Sequence, residues 1–159
     1  RVFITYLFGA HATEVLVDTE TGQVKTVRIV AVHDVGRAIN PQLVEGQIEG
    51  GVVQGLGMAL MEECIMKQGK MMNPGFTDYI LPTFVDTPPI EAVFLEHHDP
   101  EGPFGAHGVG EPPLIGTPPA ILGAIHDAIG IQMAQTPATP ERVWRALQAA
   151  RTPAEPAGV

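Results

Sequence analysis

Apolar positions near the start of the chain recur with a period of two. Val15 and Val17 form one such run, and Val27, Ile29 and Ala31 form another. This is the pattern of strands buried on one face. Between them Asp18-Thr-Glu-Thr-Gly-Gln23 is a polar cluster with a glycine, so Glu14 to Val32 predicts a β-hairpin. Arg1 to Phe8 is also strand-like, and His33 to Ile39 leads out of the second strand. The period then changes. Val44, Ile48, Val52, Gly55 and Ala59 follow at spacings of three and four, which puts them on one face of a helix. Asn40-Pro41 provides a cap and a pre-organised first residue, and the helix runs to about Glu62. Met61 to Met72 reads as two short strands around Gln68-Gly69-Lys70. Thr77 to Phe84 and Glu91 to Glu96 read as extended, with Thr87-Pro-Pro89 between them. Thr117-Pro118 opens a second helix, with Ile121, Leu122, Ile125 and Ile129 as its stripe and Gly130 as its stop. Thr139-Pro-Glu141 opens a third, with Val143, Trp144 and Leu147 directed at the core. This order predicts an α+β fold. Mixed strands and hairpins pack with a glycine-rich helix and two C-terminal helices, in one domain over residues 1–150. The Pro/Ala-rich segment 151–159 is expected to be a flexible tail.

Composition alters this picture at a few points. The first helix carries Gly46, Gly50, Gly51, Gly55 and Gly57. Each costs a helix roughly 0.8–1.0 kcal/mol relative to alanine, so close packing must offset them. The net charge of −9 argues against nucleic acid or an anionic membrane as partner, since both attract basic patches. No apolar run reaches about 18 residues, and no signal peptide is visible. Cys64 is the single cysteine, which excludes a disulfide framework, a thiolate zinc cluster and an iron–sulfur site within this sequence. A reducing cytoplasm is the expected location. The sequence contains no serine, so a serine nucleophile is excluded. It begins at Arg1 rather than Met, and a processed piece or one segment of a larger polypeptide is expected.

Three groups of residues are candidates for chemistry. In Gly105-Ala-His-Gly-Val-Gly-Glu-Pro-Pro113 a permissive backbone runs into a stiff one, with Glu111 at the junction. A residue before proline is biased to extended backbone, so the carboxylate of Glu111 is expected to be aimed. That suits a general base; the same residues also suit a solvated loop. Gln47, Gly51, Gln54 and Met58 share a face of the first helix. Two amides beside bare backbone suit a flat hydrogen-bonding ligand, and small residues equally suit close helix packing. His97-His98-Asp99 and His33-Asp34 invite a metal, but neighbours in a strand point to opposite faces, so no protein-ligated metal is expected. His126 reads as a helix-boundary residue and Cys64 as a buried small side chain. No dinucleotide fingerprint is present, because no strand enters the glycines around Gly108. A carboxylate hydrolase needs a second acid near Glu111, for which Glu101 and Asp99 are the local options.

Three segments in this order change the weighting. His33-Asp-Val-Gly-Arg-Ala-Ile-Asn-Pro41, Gly46-Gln-Ile-Glu-Gly-Gly-Val-Val-Gln-Gly-Leu-Gly57 and Gly108-Val-Gly-Glu-Pro-Pro113 resemble the C-terminal part of the molybdopterin-binding subunit of the xanthine dehydrogenase/aldehyde oxidase family, the molybdenum hydroxylases. The resemblance covers roughly residues 10–150. It implies a molybdenum–pterin cofactor, as molybdopterin or molybdopterin cytosine dinucleotide, whose metal is held by pterin sulfurs and not by side chains. By match, Glu111 is the general base, taking a proton from a molybdenum-bound hydroxyl that attacks an electron-poor carbon of an N-heterocycle or aldehyde. Gln47 lies against the pterin. Gly110 and its neighbour Val109 stand at the close approach to the metal, and Gln54 is a further contact. The resemblance also implies 2Fe-2S and FAD partners that carry electrons away, and another molybdopterin-binding segment that completes the site. The chain departs from the family pattern at His107, where many relatives carry lysine. The competing expectation is a non-catalytic structural or cofactor-binding module of a larger assembly.

Overall fold

A computed structural model describes residues 6–151 of the chain. The expected strand at Arg1 to Phe8 falls mostly outside the described residues, as does the expected tail beyond Arg151. Strand β1 (Gly9–Val17) and strand β2 (Val24–Asp34) form the predicted hairpin, longer than the alternation alone indicated. They pair antiparallel from Gly9 opposite His33 to Val17 opposite Val24, with a bulge at Glu14/Val15. Helix α1 spans Pro41–Leu60. The Asn40 side chain caps it by accepting a hydrogen bond from the Leu43 N–H at 3.2 Å. A two-residue hairpin follows, β3 (Met66–Lys67) and β4 (Lys70–Met71), with Gln68 and Gly69 both at positive φ in the turn. Strand β5 (Ile90–Leu95) then returns to pair parallel with β2. The main sheet therefore has the order β1-β2-β5, and the crossover from β2 to β5 carries α1. Helices α2 (Pro112–Ile129) and α3 (Pro140–Arg151) complete the chain.

One side of the sheet is covered by α1 and α2. Ile29, Ala31 and Val35 of the β2 region meet Ile48, Val52 and Leu56 of α1 and Ile121 and Ile125 of α2, all fully or almost fully buried. Val143 and Leu147 bring α3 onto the same core. The two long helices touch through glycine. A Cβ placed on Gly51 would lie 2.8 Å from the Pro113 Cβ, and one on Gly55 would lie 2.6 Å from the Thr117 Cβ. Both distances are too short for any side chain, so the helix axes approach at these points only because α1 has none there. Of the two readings open for Gly51, bare backbone for a ligand or close helix packing, the packing one holds, with α2 seated on it.

Several expectations need correction. Helix α2 begins at Pro112, five residues before Thr117, and takes Pro118 and Pro119 into its interior. Proline in a first turn costs little, because those N–H groups have no helical partner. Pro118 leaves the Leu114 carbonyl without its helical donor, and that oxygen faces the space where Gly55 has no side chain. Thr77 to Phe84 is not a strand but a series of turns, closed by the Asp86 carboxylate, which accepts from both the N–H and the hydroxyl of Thr83. Trp144 is 42% exposed, with its backbone and Cβ against the hairpin turn at Gly22. Cys64 is exposed, not buried. Gly130 does end α2, at φ 71°, with its N–H on the His126 carbonyl. Among the described residues no helix is long and apolar enough to cross a membrane.

Candidate functional site

The loop leading to Glu111 is strapped to the end of β2. The His107 N–H donates to the Val35 carbonyl at 2.8 Å, and the Arg37 N–H to the Gly105 carbonyl at 2.7 Å. Gly36 and Gly105 face each other here with φ 65° and 80°. A Cβ on Gly36 would lie 2.4 Å from the Gly105 oxygen, so both residues are held to glycine by conformation and by contact. The His107 ring is buried beneath the loop. Its Nε2 is 3.1 Å from Asp99 Oδ2, and its Nδ1 is 3.9 Å from Asp34 Oδ1. His107 thus braces the loop from inside. Val109 is half-buried against the core, so its side chain anchors the loop. Nothing stands within 4 Å of a Cβ placed on Gly108.

Glu111 occupies the cap position of α2 with φ −101° and ψ −28°. This is helical backbone, not the extended form expected before proline. The local bias is overridden because the next two residues are fixed by packing, Pro113 being buried against Gly51. The carboxylate is nonetheless kept free, for a different reason. A capping side chain accepts from the second or third N–H of its helix. Pro113 has no N–H, and the Leu114 N–H already donates to the Glu111 carbonyl at 3.0 Å. The Glu111 side chain consequently makes no capping bond and is exposed.

Gln47 lies on the same surface. Its Oε1 is 3.9 Å from the position a Cβ would take on Gly110, and Gly51, one turn further along α1, is seated on Pro113. The fold therefore brings Gln47, Gly110 and Glu111 together. Gln54 is exposed two turns further along the same face of α1, in line with Gln47 but removed from Glu111. Gly46 and Gly50 have no neighbour within 4 Å of a Cβ position. They line a shallow groove of 320 Å³ with Thr87, Pro88 and Ile90. Of the two further acids considered, Asp99 is turned to His107 and to the Glu101 N–H. Among the described residues no group of three or more His, Cys, Asp or Glu is placed to hold a metal ion.

Sequence reasoning missed a second cluster behind this surface. His11 Nε2 and His33 Nε2 are 2.7 Å apart, His11 Nδ1 is 3.1 Å from Thr117 Oγ1, and Thr117 donates to the Pro113 carbonyl at 2.9 Å. Burial, and then the nearby His33, hold the His11 imidazole down to about 4, and burial also lowers His33. The two rings border a cavity of 310 Å³ together with Pro112 and Ile115. Continuing the β2 alternation by one step would have turned His33 inward toward this cluster, since Ile29, Ala31 and residue 33 share a face.

The family described as the molybdopterin cofactor-binding domain matches residues 1–88, more than half of the chain. The chain belongs to that family. It is 40% identical over 139 residues to the xanthine dehydrogenase molybdenum-binding subunit of Escherichia coli O157:H7, covering 86% of this chain and 18% of that protein. It is 43% identical over 144 residues to the nicotine 6-hydroxylase large subunit of Paenarthrobacter nicotinovorans, covering 88% and 18%. Among solved structures, quinoline 2-oxidoreductase from Pseudomonas putida 86 superimposes with a TM-score of 0.82 at 38% identity, over 87% of this chain and 18% of that one. The chain thus spans about a fifth of the length of these relatives. The surface fits a pterin cofactor of the kind this domain family binds. The amides of Gln47 and Gln54 are exposed donors and acceptors, and Gly108 leaves space where a side chain would stand. A cofactor rich in hydrogen-bonding edges calls for such a lining.

Proposed function

We propose that this chain supplies the general base and one wall of the cofactor site of a molybdenum hydroxylase acting on an N-heterocycle or an aldehyde, with water as oxygen source. The observation that carries the reading is the carboxylate of Glu111. It is left without a capping partner at a proline-started helix, on the surface where Gln47 meets Gly110. A bound molybdenum–pterin would supply a two-electron acceptor and a Lewis-acidic metal. Glu111 accepts a proton from the water-derived nucleophile, which requires an approach of about 3 Å. The Gln47 side chain hydrogen-bonds the pterin edge, and Gln54 extends that contact along α1. The backbone at Val109 and Gly110 lets the cofactor come close, while His107 and Asp99 hold the loop from below. Another molybdopterin-binding segment completes the opposite wall, and 2Fe-2S and FAD partners take up the electrons. An exposed, unpaired Cys64 is compatible with a reducing cytoplasm.

The test is Glu111→Gln in the assembled enzyme. Molybdenum and pterin content should stay at the wild-type level while turnover falls by about 10²–10⁴-fold or more, the range for loss of a general base. Retained turnover refutes the base assignment. A purified wild-type assembly free of molybdenum and pterin would favour the non-catalytic module instead.

A further inference from the structure

The histidine pair has no part in the reaction proposed above, yet its hydrogen bonds end on the first turn of α2. The direction of each bond follows from counting protons. Thr117 has one hydroxyl proton, and it goes to the Pro113 carbonyl. Toward His11, Thr117 Oγ1 can therefore only accept, so His11 carries its proton on Nδ1. With both rings neutral, His11 Nε2 is then a bare acceptor, and the 2.7 Å contact requires His33 to donate from its own Nε2. A single ordered relay results, from His33 through His11 and Thr117 to Pro113. The lowered proton affinities of both imidazoles keep them in the neutral form this ordering needs.

The surroundings hold both rings in place. His33 is 3% exposed and Thr117 is fully buried. A Cβ on Gly9 would lie 2.5 Å from His33 Nδ1, and one on Gly116 would lie 3.0 Å from the His11 ring. Glycine at both positions makes room for the rings and pins them. His33 Nδ1 is buried without a hydrogen-bond partner, as expected for the one unprotonated nitrogen at the start of the relay. The far end, Pro113, is two residues from Glu111 and rests on Gly51 of α1.

We propose that His33, His11 and Thr117 act as a positioning relay that ties the sheet to the first turn of α2 and so sets the direction of Glu111. The positioning role rests on the reading of Glu111 as base; the relay itself does not. The experiment compares Thr117→Val, which keeps the shape and removes the hydroxyl, with Thr117→Ser, which restores it, in the full-length assembled enzyme. Hydrogen exchange of the backbone amides of residues 109–111 and 114–116 reads the relay directly. In Thr117→Val it should quicken roughly tenfold, the effect of one lost hydrogen bond, and Thr117→Ser should return it to the wild-type rate. The kcat should fall about ten- to a hundredfold in Thr117→Val with KM little changed, and recover in Thr117→Ser. Unchanged exchange in Thr117→Val overturns the relay. Faster exchange with undiminished kcat, in an enzyme that Glu111→Gln inactivates, overturns the positioning role. If Glu111→Gln itself turns over normally, the base reading fails, and the exchange data still decide the relay. Should Thr117→Val not assemble, Thr117→Ala set against Thr117→Ser makes the same comparison.

Discussion

Replacing Gly55 with alanine and, separately, Gly50 with alanine sets two opposing effects against each other in one helix. Both substitutions remove a helix-interior glycine, which favours folding by roughly 1 kcal/mol. They differ in what the new methyl group meets. At Gly50 nothing lies within 4 Å, so the gain should appear in full. At Gly55 the methyl would lie 2.6 Å from the Thr117 Cβ, 2.9 Å from the Leu114 carbonyl oxygen and 3.2 Å from the Pro118 ring. These are backbone or stiff groups, so α2 itself must move. Overpacking of that kind costs about 1–3 kcal/mol, and the upper end applies where no flexible tip can yield. Gly55→Ala should therefore come out about 2 kcal/mol less stable than wild type. Gly50→Ala should come out about 1 kcal/mol more stable. Urea unfolding of the chain, followed by circular dichroism, separates the two. With an m value of about 1–3 kcal/mol/M, their midpoints should differ by about 1–3 M. Equal midpoints would refute the close-contact account of the α1–α2 interface.

Acid should weaken the fold through the histidine pair. The His11 pKa is about 4 in the folded chain, against an ordinary 6.5. The unfolded chain therefore binds more protons between these values, and stability present above pH 6.5 is lost as pH falls toward 4. Because the ring is only half-buried, the loss from His11 is about 1–2 kcal/mol after allowance for solvent screening. His33 adds to it in the same direction. Urea midpoints measured from pH 7 to pH 4 should show this slope, and His11→Asn should flatten it; an undiminished slope in that variant would place the effect elsewhere. His107→Leu should cost about 1–3 kcal/mol by removing a buried partner of Asp99. A thermal unfolding midpoint equal to that of wild type would show that the histidine does not brace the loop.

The elements were mostly legible because their signals are local. Asn40-Pro41, the Gln68-Gly69 turn and the stop at Gly130 each act through their own backbone, and each stands where the sequence put it. The parallel pairing of β2 with β5 left no local trace, since it joins residues separated by the whole of α1. Thr117-Pro118 looked like a helix start, because threonine before proline is a common cap. Packing of Pro113 on Gly51 begins the helix a turn earlier, and the Thr117 hydroxyl then turns inward to the Pro113 carbonyl. Glu111 and Gln47 stood out as motif residues, but nothing linear said they share a surface. That depends on how closely α1 and α2 approach, and hence on Gly51 and Gly55. His33 was weighed as a metal candidate with Asp34, but its pairing with His11 went unseen because the second strand was ended at Val32. One further step of the alternation places it inward, beside His11 of the neighbouring strand.

The prolines after Glu111 bear on how this domain can be altered by selection. A helix start with an ordinary cap is more stable by about 0.5–2 kcal/mol, and this chain forgoes that gain at α2. A library screened only for heat resistance would tend to enrich substitutions that give position 113 an N–H and draw the carboxylate into it. Such survivors would be sturdier proteins in which the acid proposed as the base is already engaged.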